Sequence, residues 1–255
     1  VKEPKLSWLK AFATASLGKK YFMGLSGLFL CFFLVVHLAG NLLLYVGDET
    51  YNEYAHKLHS NAEFLLFAEV LLYTAFVFHI GYGIWLHFGN RAARDQRYAF
   101  VQSKREDRKL NPAMPTPDRT MFITGLIILM YLSIHLSDFK GEVGWESQFA
   151  GLTAAQKAQT VVSSGFRSVV YLVAAIVLGV HVSHGFQSAF QSLGLNHSKY
   201  TPTIRKASVV FGFVVAIGFG SFPVVAKIRN WGNVTPAPAV EQADASQTDT
   251  PPSHP

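Results

Sequence analysis

The chain has 255 residues, half of them apolar and 21 of them Phe, with a formal charge of +6 and a mean hydropathy of +0.23. Charges lie in blocks between runs of about 20 apolar residues, the length that crosses about 30 Å of hydrocarbon, so a soluble globular domain is excluded. The positive residues follow membrane topology, which removes the nucleic-acid reading that net charge alone invites. The single cysteine, Cys31, lies inside an apolar run and excludes both an internal disulfide and a cysteine-built metal site.

In chain order, residues 1–18 form a polar N-terminal segment, with Trp8 and Phe12 suited to the lipid interface. The first apolar run is too long for a cleaved signal and no small-residue cleavage site follows it, so the first span is expected to serve as its own insertion signal. That span is predicted over Tyr21 to Tyr45. An acidic loop at 46–63, with room for a helical turn, leads to span two, about Phe64 to Phe88. The next segment, 89–119, is basic, and its Asn111-Pro-Ala-Met-Pro-Thr-Pro run forbids regular helix. Span three is predicted over Thr120 to Leu136, followed by a polar loop to Ser164. Span four covers Phe166 to Leu193. Span five covers Ala207 to Ala226, with Pro223 kinking or ending it. Residues 231–255 lack aromatics beyond Trp231 and are rich in Pro, Ala, Ser, Thr and Gln, a disordered composition.

Residues 19–230 are therefore expected to form an all-α, polytopic bundle of five transmembrane helices. Segments 1–20, 89–119 and 192–206 hold sixteen of the 22 Lys and Arg. With alternating spans this places the N-terminus and both basic loops in the cytoplasm, and the acidic loops and the C-terminus outside.

Four spans each carry one histidine in an apolar run: His37 in CFFLVVHLAGNLLLY, His79 in YTAFVFHIGYGIWL, His135 in LIILMYLSIHLSDF and His181 in LGVHVSHGF. An ionisable group inside a bilayer is costly and marks a pathway or a ligand site. Depth pairs the four. His37 and His135 fall toward the outer ends of their spans, whereas His79 and His181 fall on the cytoplasmic side of the middle. Two ligands facing each other at each level is the axial geometry of a porphyrin; a zinc site would need three or four ligands converging at one level. Two stacked haems follow, an outer one on His37 and His135 and an inner one on His79 and His181.

Gly40, Gly83 and Gly185 stand three or four residues after His37, His79 and His181. On the ligand's face, they would admit a flat macrocycle, although the same spacing serves plain helix contact in lipid. His184, one turn after His181, competes with it and fits the depth of His79 less well; it remains a candidate propionate or quinone contact. His56, His59, His87 and His197 fall in loops or at span ends and read as solvated surface. Glu69 is the one carboxylate well inside a span, about 15 Å outside the level of His79 at about 1.5 Å per residue. It is either a proton donor to a quinone beside the outer haem, with Tyr73 or His59 as companion, or a side chain close enough to the interface to reach water.

The runs around these histidines, Val-Val-His-Leu-Ala-Gly-Asn-Leu, Phe-His-Ile-Gly-Tyr-Gly, Ser-Ile-His-Leu and His-Val-Ser-His-Gly-Phe, resemble a known family. It is the cytochrome b membrane anchor of succinate:quinone oxidoreductases (succinate dehydrogenase) and fumarate reductases, in its five-helix, two-haem, single-subunit form. The resemblance covers about residues 18–228. The family's H-x-S-x-G pattern is matched by His181, Ser183 and Gly185, which selects His181 over His184. The resemblance implies two haem b with the same pairing and a multi-pass subunit of a prokaryotic cytoplasmic membrane. It further implies flavoprotein and iron-sulfur subunits on the cytoplasmic face and menaquinone as electron carrier, in an enzyme that links the tricarboxylic acid cycle to the respiratory chain. Dicarboxylate chemistry would belong to another subunit. Some members carry a glutamate two residues before the fourth histidine for proton movement; Gly179 stands here, so that role does not transfer. The rivals are a di-haem anchor of formate dehydrogenase or hydrogenase type and a small membrane transporter, for which no repeat with broken helices is evident.

Overall fold

The computed structural model describes residues 6–92, 117–195 and 197–232. Every regular element among them is helical: α1 Leu6–Thr14, α2 Ser16–Val46, α3 Asp48–Ser60, α4 Ala62–Ala92, α5 Pro117–Phe139, α6 Glu146–Phe149, α7 Ala154–Ser163, α8 Gly165–Ser192 and α9 Thr201–Ile228. Five of these, α2, α4, α5, α8 and α9, are long and apolar enough to cross a membrane. In lipid the backbone has no water to bond, so an apolar run of this length satisfies its own N–H and C=O groups by coiling. The helices outlast the apolar spans by up to six residues at an end, because polar flanks continue the hydrogen-bond ladder into the interface. The chain is a multi-pass membrane protein.

The segment read as an acidic loop at 46–63 is instead a complete helix, α3, of 13 residues. Asp48 and Glu49 in its first turn and Lys57 and His59 in its last complement the helix dipole, and Lys57 bonds Glu53 at 2.6 Å one turn away. The second loop also folds. Thr153 caps α7 in a reciprocal box with Gln156, and α6 precedes it. Helix α9 runs through Pro223 to Ile228 rather than ending there. The proline-rich run from Asn111 and the tail beyond 232 lie outside the described residues, apart from the start of α5 at Pro117.

Helices α3, α6 and α7 form a cap over one end of the bundle. The tightly packed core lies under this cap, where Trp145, Phe149, Ala155, Val161 and Val162 meet Leu44, Tyr171, Phe222 and Ala226. Polar ties fasten it: Asn52 accepts from the Ala155 N–H, Gln159 bonds Asp48, Lys157 bonds Glu142 at 2.7 Å, and Lys227 donates to the Ser163 carbonyl. The opposite, open end is where α2 begins and α4 and α8 finish.

Between the two ends, packing is uneven. Helices α8 and α9 pack along most of their length with backbones in near contact. A Cβ added at Gly179 would lie 2.6 Å from the Gly212 carbonyl and 2.6 Å from the Ala216 Cβ. Ser208 donates to the Ser183 carbonyl across the same seam. Small residues allow this approach, and in lipid it is packing and hydrogen bonding that hold helices together. By contrast, Ala75 is the one buried residue of α4, and the most apolar 18-residue window of α5 contains none. A Gly179→Leu substitution should force α8 from α9 and lower stability by about 1–3 kcal/mol. Thermal unfolding in detergent should show a reduced midpoint, whereas Gly89→Ala, with nothing within 4 Å of the added Cβ, should not reduce it.

Candidate functional site

The sparse burial of α4 and α5 has a geometric cause: α2, α4, α5 and α8 surround a cavity of about 2220 Å³. His37, His79, His135 and His181 all line it. One small-molecule site takes about 300–1,000 Å³, so this volume suits more than one large apolar group. Interiors of folded proteins are otherwise close-packed, and here side chains leave the centre of four helices unfilled. Helices α4 and α5 barely touch each other.

The histidines face one another in two pairs. His37 and His135 have ring centroids 5.9 Å apart with planes at 85°, and His79 and His181 have centroids 6.3 Å apart with planes at 74°. Metal–imidazole bonds of about 2 Å, plus roughly 1 Å from nitrogen to ring centre, put two opposed ligands about 6 Å apart. Both pairs have that separation. His37 and His135 lie nearer the capped end, and His79 and His181 nearer the open end, with the levels separated by on the order of 10 Å along the helices. Among the described residues no three His, Cys, Asp or Glu side chains converge as a protein-only metal cage. The donor set at each level is two imidazoles, which fits a metal whose remaining ligands come from a bound macrocycle.

A ligating histidine usually has its second nitrogen held by a hydrogen bond, which fixes tautomer and ring orientation. His181 Nδ1 lies 3.0 Å from the Thr124 hydroxyl, His135 Nδ1 lies 3.4 Å from the Tyr171 hydroxyl, and His37 Nδ1 lies 3.5 Å from the Asn41 amide. The Thr124 hydroxyl donates its own proton to the Thr120 carbonyl at 2.7 Å, leaving its oxygen to accept from His181. For His181 and His135, whose Nδ1 donates to an oxygen, Nε2 is left for a metal; the Asn41 group beside His37 is an NH2 donor, which also bonds the His37 carbonyl at 2.7 Å. His79 differs: no side chain holds its buried Nδ1, and the polar group its ring meets is the Met23 backbone.

Glycines clear space beside the inner pair, mostly from helices opposite the ligand. A Cβ at Gly27 of α2 would stand 3.4 Å from the His79 ring, and one at Gly125 of α5 would stand 3.5 Å from the His181 ring. Neither position is marked by its spacing to a histidine on its own helix, so sequence reasoning missed both. Gly83 and Gly185 line the cavity as expected, each beside a methionine, Met23 and Met121. Gly40 does not line it. Helix α3 takes that groove, and a Cβ at Gly40 would meet the Tyr54 hydroxyl at 2.7 Å.

His87, read as solvated surface, instead stacks on Phe122 at 3.8 Å and lines the cavity's open end. Lys20, Asn90, Arg91, Gln191 and Ser192 line the same end. His184 is not among the lining residues. At the capped end, Glu69 of α4 is bonded by Lys140, just beyond α5, at 2.6 Å. The hydrogen bond to that carboxylate raises the Lys140 ammonium above the usual lysine range. Tyr73, one turn further in, lines the cavity, whereas His59 turns back to the Ala55 carbonyl of its own helix.

Comparison of the chain with known protein families, with curated proteins and with solved structures finds no match. The geometry of the site is therefore the basis for any functional reading.

Proposed function

We propose that the chain is the membrane-anchor cytochrome b subunit of a succinate:quinone oxidoreductase, working toward succinate oxidation or fumarate reduction. The observation that carries this reading is the pairing of His37 with His135 and of His79 with His181 at two depths of one cavity, each pair at a separation that would let two imidazoles hold one metal. Two b haems held there would supply one-electron transfer across the membrane.

The chain's own residues set the conditions for that transfer. Thr124 and Tyr171 orient two of the four imidazoles through their Nδ1 atoms, and the apolar walls would keep water from a metal held between the pairs. Lys20 and Arg91 at the open end offer positive charge to the carboxylates of an inner macrocycle. The open end is the cytoplasmic one on the distribution of Lys and Arg, and its basic segments offer the face for flavoprotein and iron-sulfur subunits. The capped end then faces outward. There the Glu69–Lys140 pair links α4 to the end of α5, across the side of the cavity where these two helices scarcely meet. Menaquinone entering from the bilayer would meet Tyr73 and this pair, with Glu69 exchanging the proton that quinone chemistry needs. This membrane is the prokaryotic cytoplasmic membrane.

Two outcomes test the reading. His79→Ala or His181→Ala should remove one b-type absorbance component and His37→Ala or His135→Ala the other, as read in reduced-minus-oxidised spectra; loss of no component in any variant would contradict it. Glu69→Gln should retain both components and electron flow from succinate to a soluble dye, while quinone-linked turnover falls by about 100-fold. Full quinone turnover in that variant would move the proton donor elsewhere.

A further inference from the structure

Asp138 is the most deeply buried charged residue among those described, with no exposed surface at all, and it sits three residues after His135 near the end of α5. One oxygen, Oδ1, accepts from the Trp145 indole N–H at 2.9 Å and from Arg167, with Nε at 3.0 Å and Nη2 at 2.9 Å. These contacts bind α5 to the α6 turn and to the start of α8. They are sufficient to explain a structural ion pair. The other oxygen, Oδ2, has a separate use: it accepts from the Tyr171 hydroxyl at 3.0 Å.

That bond fixes the direction of the next one. A phenol has a single proton, and with it committed to Asp138 the Tyr171 oxygen is left as an acceptor. The group beside it is His135 Nδ1 at 3.4 Å. The result is a directed chain from the imidazole N–H to the phenol to the buried carboxylate. Its inner counterpart ends differently, since His181 leans on the Thr124 hydroxyl, whose proton goes to a neutral backbone carbonyl. Beside His37 Nδ1 stands the Asn41 NH2 group, a donor rather than an acceptor.

We propose that Asp138, acting through Tyr171, is the positioning and tuning group of the outer metal ligand His135, and that this gives the outer centre a control the inner centre lacks. The inference rests on the reading of the histidine pairs as haem ligands. An acceptor backed by a carboxylate draws the Nδ1 proton outward and enriches Nε2 in electron density, which favours the ferric over the ferrous state of the iron it binds. Arg167, with its side chain 23% exposed, offsets part of the carboxylate's charge toward the outside without touching the Tyr171 oxygen.

The test is an optical redox titration of the purified complex carrying Tyr171→Phe. The variant retains the ring that packs on Tyr131 at 5.1 Å and leaves Asp138 bonded to Arg167 and Trp145. One centre should shift its ferric-to-ferrous ratio about tenfold toward ferrous at a given potential, an upward midpoint change of about 59 mV for one electron. The other centre should stay in place. Asp138→Asn should move the same centre in the same direction, and Thr124→Val should move the other. Two unchanged midpoints in Tyr171→Phe, or equal shifts of both, would overturn the proposal while leaving the haem reading intact. An unaltered complex without b haem would overturn both.

Discussion

Everything in this bundle depends on four imidazoles facing one another across a space that side chains do not fill. An apolar interior is normally close-packed, and each gap forfeits dispersion contacts. Here the gap is built in: α4 packs on α2 and α5 on α8, but α4 and α5 scarcely meet, and glycines at 27 and 125 widen the room around the inner pair. A group bridging the wall would restore those contacts. The histidine pairs, at 5.9 and 6.3 Å, are the groups able to hold that bridge from both sides.

The two ends of the bundle treat this space differently. Under the cap, α6 and α7 wedge a dense core against α2, α8 and α9, and the buried Asp138 ties α5 into it. Breaking a buried ion pair by removing one partner costs about 3–5 kcal/mol, so this tie holds α5 firmly at the capped end. At the open end the walls carry Lys20, Asn90 and Arg91, and Lys19 lies 3.8 Å over the Trp85 ring. Rigid packing near one histidine pair and a polar, positively charged rim near the other suit a path with different neighbours at its two ends.

The spans and the histidines were legible in the sequence because both signals are local. An apolar run is its own evidence for a membrane helix, and an imidazole alone in such a run stands out chemically. The cap was not legible in that way. Helix α3 looks polar and short, and its contribution to the site is to fill the groove at Gly40 with Tyr54, a contact between separate helices that no spacing along α2 encodes. Gly27 and Gly125 act on histidines of other helices, so only the fold brings them together. Asp138 carries no signal of its own at the end of α5; its burial depends on Trp145 and Arg167 arriving from later in the chain. His87 was similarly recast by Phe122 of the neighbouring span.

The central claim is that each histidine pair holds one haem, and pyridine haemochrome analysis of the purified unaltered chain measures it most directly. The account predicts two b-type haems per chain. A value of one, or of none, would contradict it.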